Sequence, residues 1–63
     1  MDKYRYEGPV SVFGRCVDNN WKAETMAVSE KKARNNFRYQ YSKQVGKIPA
    51  TRVELPGKIM IVN

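Results

Sequence analysis

The segment SEKKARNNFRYQY, residues 29–41, contains four basic residues and, after Glu30, no acidic residue. At 100° per residue in a helix, Lys31, Arg34 and Arg38 fall within about 60° of each other. Such a stripe suits phosphate binding, because each cation can neutralise one phosphate group. A solvated helix face is the alternative interpretation, and both are kept open at this point.

The basic pattern continues beyond this segment: from Lys31 to Lys47 the chain has six basic residues and no acidic one. A helix charged only for solubility more often alternates Glu with Lys four residues apart, because like charges at that spacing destabilise a helix. The first helical turn also favours anions through its free N–H groups. We therefore predict a nucleic-acid-binding face made of Lys31, Lys32, Arg34, Asn35, Arg38 and Lys43.

Two resemblances accompany this pattern. AVSEKKARNN resembles the C-terminal half of double-stranded RNA-binding domains, whose last helix opens with phosphate-contacting residues; the matching positions are Ser29, Lys31, Lys32, Ala33 and Arg34, and the resemblance implies the geometry of that helix. Those domains also need a preceding helix and a histidine-bearing loop, and this sequence has no histidine. The whole chain, especially YEGPV, SEKKARNNF and LPGKI, resembles small uncharacterised proteins from conjugative transposons and prophages of Gram-positive bacteria. The second resemblance implies an accessory role in a mobile genetic element.

The composition argues against most catalytic chemistry. Without histidine, the commonest general base and the commonest metal ligand are both missing. The six carboxylates are scattered singly, the four glycines match no phosphate-binding loop, and one cysteine cannot form a zinc site. We expect no enzyme, no cofactor and no metal, and we expect Cys16 to be a small core residue.

Length and charge restrict the remaining possibilities. A chain of 63 residues forms one domain, 1–63, with a small core. Its net charge of +6 favours anionic partners such as DNA, RNA or an acidic protein surface. A single cysteine excludes an intramolecular disulfide, and neither a signal peptide nor a membrane-spanning segment is visible. We expect a cytoplasmic protein without membrane contact.

The hydrophobic pattern predicts an α+β fold. KYRYE alternates until Gly8-Pro9, and VSVFGRCV and WKAETMAV form a predicted hairpin around Asn19-Asn20. Ser29 and Gly46 bracket a helix of about residues 29–45, and TRVEL and KIMIV are two further strands. The predicted order is β-β-β-α-β-β, with a small antiparallel sheet covered on one face by the single helix. The pairing of the last two strands is left open.

The aromatic and apolar residues suggest a second function. We expect Trp21, Phe37 and Tyr41 to be buried, although rings next to basic residues also suit stacking on unpaired bases. Phe13, Val17 and Met26 lie on the predicted outer sheet face, where they are candidates for binding a protein partner or a second copy. We therefore predict a non-enzymatic nucleic-acid-binding protein of weak sequence specificity. The alternative is a protein-interaction module, either an adaptor or an inhibitor of a host or element-encoded factor. Such a module would use this face or the edge of KIMIV, and we expect a monomer or weak dimer.

Overall fold

One helix packs against a four-stranded antiparallel sheet in the computed structural model, which describes residues 1–62. β1 is the central strand: β2 pairs along one side of it, and β3 and β4 pair along the other. The predicted α+β class and the single covering helix are confirmed. The elements are β1 (Asp2–Val12), β2 (Arg15–Ala27), α1 (Glu30–Val45), a 3-10 helix (Ala50–Arg52), β3 (Val53–Glu54) and β4 (Ile59–Ile61).

β1 is one continuous strand, so two strands precede α1 and the prediction of three was wrong. Tyr4, Tyr6, Val10 and Val12 are buried at alternate positions on the face that meets the helix. Pro9 has no N–H group for the ladder, and a β-bulge in the partner strand accommodates it: Gly8 pairs with Trp21 and Val10 with Asp18. Pro9 thus faces two residues instead of one, and the strand continues.

The hairpin turn lies at Phe13-Gly14 rather than at the predicted Asn19-Asn20. Both turn residues have positive φ angles, 53° and 77°, as a two-residue primed turn requires. Asn19 and Asn20 belong instead to the bulge opposite Pro9, where the Asn20 N–H donates to the Asp18 carboxylate at 3.1 Å. The polar residues that suggested a turn therefore stabilise an irregularity inside β2.

The helix begins and ends where its capping residues indicate. The Ser29 hydroxyl accepts a hydrogen bond from the Lys32 N–H at 3.3 Å, and Gly46 adopts the left-handed conformation with φ of 83°. Ala33, Phe37 and Tyr41 form its buried stripe. The predicted helix is confirmed.

An aromatic cluster forms the centre of the core. Tyr6, Trp21 and Phe37 have ring centroids 6.0 to 6.3 Å apart, and Tyr41 meets Trp21 edge-on at 5.1 Å. The predicted burial of Trp21, Phe37 and Tyr41 is confirmed. The predicted burial of Cys16 was wrong: Cys16 is exposed, because a second bulge between Asp18 and Cys16 shifts the alternation of β2.

The C-terminal segment, residues 47–62, adds two short strands to the sheet beside β1. β3 pairs with Ser11 and Val12, and β4 pairs with residues 4–6, so the last two strands pair with β1 and not with each other. Val53 and Leu55 add buried side chains to the core. The buried Tyr6 hydroxyl donates to the Pro9 carbonyl and accepts from the Gly57 N–H at 3.0 Å, which attaches the loop before β4 to β1.

Candidate nucleic-acid interface

The outer surface of α1 carries a row of exposed residues directed away from the sheet. Tyr39 follows Lys32 by seven residues and Lys43 follows it by eleven. The three side chains therefore lie within about 40° of each other around the helix axis. All three are exposed, and Tyr39 is 64% exposed. Lys31 and Asn35 are also exposed beside this row. We call these five residues, Lys31, Lys32, Asn35, Tyr39 and Lys43, the basic face.

Arg34, a predicted phosphate-binding residue, lies on the flank of α1 that meets the C-terminal segment. Its guanidinium group donates through Nη1 to the Leu55 carbonyl, and the side chain is half-buried. The Ser42 hydroxyl donates to the Ile48 carbonyl on the same flank. The sequence pattern places Arg34 in the basic stripe, whereas the structure gives it a fold-stabilising contact.

Arg38, another predicted site residue, is half-buried where α1 meets the 3-10 helix. Its Nε atom is buried and has no hydrogen-bond partner among the described residues. A buried donor without a partner is unusual, because leaving it unpaired destabilises the fold. Because this Nε atom is enclosed by the protein, Arg38 contributes its positive charge, and not this donor, to the surroundings of the basic face.

Two surface depressions meet at Tyr39. One, with a volume of about 470 Å³, is lined by Tyr39, Ser42, Lys43 and residues 46–49, which include Lys47. The other, of about 190 Å³, is lined by Asn35, Arg38, Tyr39, Ala50 and Thr51. The Tyr39 ring thus borders a depression with two lysines and a depression with one arginine and one amide.

The acidic residues are divided between the two sides of the molecule: Glu30 is in the first turn of α1, and Asp18 lies near Tyr41. Glu7 and Glu24 lie on the sheet face away from α1, where they form ion pairs with Lys3, Arg5 and Lys22 at 3.4 to 3.9 Å. Glu54 pairs with Ser11 and therefore lies on that face too. Among residues 1–62, no ion pair involves a basic residue of α1. The positive charges of the helix exceed its one negative charge, that of Glu30, and form no ion pair within this part of the chain.

The predicted protein-binding residues do not form one patch. Phe13, Val17 and Met26 are all exposed, but Phe13 is in the hairpin turn and Met26 pairs with Lys3 at the other end of the hairpin. The Phe13 ring instead contacts Arg52, whose guanidinium carbon lies 5.5 Å from the ring centroid. The face predicted from the strand alternation is therefore divided between two ends of the sheet.

The two edges of the sheet differ in how they are covered. The side-chain amides of Asn36 and Gln40 donate to the carbonyls of Met26 and Glu24 at 3.4 and 3.5 Å, which covers the edge of β2. The Val62 N–H donates to the Lys3 carbonyl at 2.8 Å, so the backbone groups of Ile59 and Ile61 point the opposite way, to the free edge of β4. Within the described chain no strand pairs with that edge. In the sequence, the apolar run KIMIV was the signal for this free edge.

The part of the chain that the structure describes has no group of three or more Cys, Asp or Glu side chains placed to hold a metal ion. Among residues 1–62, no helix combines the length and the apolar character needed to cross a bilayer. No protein-family model, curated protein or solved structure matches the chain.

Proposed function

We propose that the protein binds nucleic acid, without enzymatic activity, through the basic face of α1. The observation that carries this proposal is a separation of charge: the exposed lysines of α1 outnumber its one acid, Glu30, and have no ion-pair partner in the described chain, while Glu7, Glu24 and Glu54 lie on the opposite face. Release of condensed counterions from a polyanion drives binding at such a surface.

The dimensions of the basic face set the size of the contact. Lys32 and Lys43 are eleven residues apart, which corresponds to about 16 Å along the helix axis. This length matches about five nucleotide steps of 3.4 Å along one strand. Lysine side chains contact phosphates as point charges and carry little sequence information. We therefore expect a contact with about three to five phosphates and weak sequence specificity.

The test is a titration of the purified protein against labelled single-stranded DNA, duplex DNA and duplex RNA at several salt concentrations. We expect the logarithm of the association constant to fall with the logarithm of the salt concentration, with a slope of about −2 to −4.5 for three to five phosphates. Absence of binding even at low salt would reject the proposal and leave the basic face as a solvated surface.

A matched pair of triple variants separates the site from the net charge. Lys31→Gln, Lys32→Gln and Lys43→Gln remove three charges from the basic face, and Arg15→Gln, Lys22→Gln and Lys58→Gln remove three charges elsewhere. Both variants lower the net charge from +6 to +3, because each substitution removes one positive charge. We expect the slope of log affinity against log salt to become shallower by about two to three in the first variant and to change little in the second. Equal losses in both would mean that net charge alone drives binding.

The biological setting is also a proposal. The resemblance of YEGPV, SEKKARNNF and LPGKI to proteins of mobile genetic elements supports an accessory role in handling the element's nucleic acid, in the cytoplasm of the host cell. This resemblance bears on the setting, whereas the charge separation bears on the binding activity.

A second candidate function, protein binding by strand addition, is favoured by the free edge of β4. Ile61 is 56% exposed and Met60 46% exposed, and such apolar edges add strands readily. We propose a second copy of this chain as the occupant, with the two β4 edges paired. Ile61→Pro removes an N–H group that points to the free edge and leaves the pairing with β1 intact. If sedimentation shows a dimer, Ile61→Pro should make it monomeric; a strict monomer at high concentration would exclude this interface.

A further inference from the structure

Tyr39 is the one aromatic residue of α1 that the core does not use. Phe37 and Tyr41 are buried, whereas Tyr39 is 64% exposed among the lysines of the basic face. An aromatic ring at this position adds nothing to phosphate neutralisation, since it carries no charge. It does provide a flat apolar surface on which a nucleic-acid base can stack.

The depression next to Tyr39 is mostly apolar, which suits the flat face of a stacked base. Ala50 and Thr51 of the 3-10 helix form one side, and Asn35 and Arg38 of α1 form the other. The Arg38 Nε atom has no partner among the described residues, but it is buried and therefore not open to a ligand in this depression. Across the Tyr39 ring, the larger depression contains Lys43 and Lys47, which are suited to the phosphates on either side of the stacked nucleotide.

We propose that the basic face binds single-stranded nucleic acid, with an unpaired base stacked on Tyr39 in the depression lined by Asn35, Arg38, Ala50 and Thr51. Lys43 and Lys47 contact the adjoining phosphates. The inference rests on the proposed nucleic-acid binding and adds the class of ligand. In a duplex the bases are stacked on each other inside the helix and cannot reach a side chain on the outside, so the Tyr39 ring would gain no contact there.

The experiment compares single strands that have equal phosphate numbers and differ in their bases, together with a duplex. The probes are a short oligothymidylate, an oligouridylate of the same length, an abasic deoxyribose-phosphate chain of that length, and a DNA duplex. We expect the protein to bind the base-bearing single strands about 5- to 150-fold more tightly than the abasic chain, which is the range for one stacked base. Equal affinity for the oligothymidylate and the abasic chain would overturn the inference while leaving phosphate binding intact. Binding to the duplex as tight as to the single strands would overturn it too.

Two substitutions of Tyr39 connect this preference to the ring. Tyr39→Phe retains the stacking surface, and Tyr39→Ala removes it. We expect Tyr39→Phe to keep the preference for base-bearing strands and Tyr39→Ala to bind all single-stranded probes as weakly as the abasic chain. An unchanged preference in Tyr39→Ala would overturn the assignment of the ring. Failure of the unmodified protein to bind any probe at low salt would instead reject the proposed nucleic-acid binding itself.

Discussion

The Tyr6 hydroxyl group connects β1 with the loop before β4 inside a closely packed region. It accepts a hydrogen bond from the Gly57 N–H at 3.0 Å and donates to the Pro9 carbonyl. A Cβ atom at Gly57 would lie 2.9 Å from this oxygen, closer than side chains tolerate. The residue types at positions 6 and 57 are therefore interdependent, although neither position shows this in the sequence.

A double-mutant cycle tests this contact. Tyr6→Phe should lower the free energy of unfolding by about 1–3 kcal/mol, because it leaves two partly buried backbone groups without this partner. Gly57→Ala should also destabilise the protein, but by less in the Tyr6→Phe background, where the clashing oxygen is gone. Urea unfolding of the four proteins gives the coupling energy. Strict additivity of the two effects would contradict the contact.

Because of Tyr41, the free energy of unfolding depends on pH in the alkaline range. Burial raises the pKa of Tyr41 above its usual value of 10.0, and the nearby Asp18 and Cys16 raise it further. Because the folded protein keeps the phenolic proton at a pH where the unfolded chain loses it, this stability is complete below about pH 10 and decreases above it. As the pH rises from about 9 to about 11, the free energy of unfolding should fall less in Tyr41→Phe than in the unmodified protein. Parallel losses in the two proteins would assign the pH dependence to other groups.

At the scale of elements, the hairpin turn contains an unfavourable residue. Phe13 has a positive φ of 53°, a conformation that destabilises most residues other than Gly, Asn and Asp. Its ring contacts Arg52, and such an exposed contact contributes about 0.5–1 kcal/mol. The contact offsets part of the strain of the turn.

Phe13→Asn should therefore stabilise the protein, by about 0.5 kcal/mol, because Asn-Gly is a preferred pair for this turn. In an Arg52→Gln background the same substitution should stabilise it more, since no ring contact is then lost. Thermal melting of the four proteins measures both effects. A lower melting temperature for Phe13→Asn in both backgrounds would show that the ring contributes more to the fold than its contact with Arg52.

The elements also show how far the sequence determines the fold. The helix was predictable because Ser29, Gly46 and the stripe of Ala33, Phe37 and Tyr41 are local signals that all agree. The position of the hairpin turn was not predictable. Gly8-Pro9 and Asn19-Asn20 are typical of turns, but in the structure they lie opposite each other at a β-bulge. The alternation Tyr4, Tyr6, Gly8, Val10, Val12 contained the signal for one continuous β1.

The candidate site was predictable in part for a similar reason. Helical periodicity places Lys31, Lys32 and Lys43 on the outside because it depends only on α1. It cannot place Arg34 and Arg38, because their surroundings are formed by the C-terminal segment, which is distant in sequence. The depressions beside Tyr39 depend on the same segment, and therefore only the structure showed them.

At the scale of the whole molecule, the basic residues divide between folding and binding. Arg34→Gln should lower the free energy of unfolding by about 1 kcal/mol, because it removes the hydrogen bond from a charged group to the Leu55 carbonyl. Lys32→Gln should leave stability almost unchanged and weaken nucleic-acid binding. Thermal melts and DNA titrations of both variants measure the two properties. If Arg34→Gln weakened binding as much as Lys32→Gln did, at unchanged stability, Arg34 would be a phosphate contact after all.

The unpaired positive groups on α1 make the charge of the molecule uneven across the sheet, because on the far face Glu7 and Glu24 are neutralised by Lys3, Arg5 and Lys22. In the field of a polyanion such a molecule turns its helix towards the ligand before contact, so more of the encounters are productive. The association rate should then be high at low ionic strength and fall steeply as salt is added. The stacked contact at Tyr39 is short-ranged, and the rate of dissociation should depend on it instead.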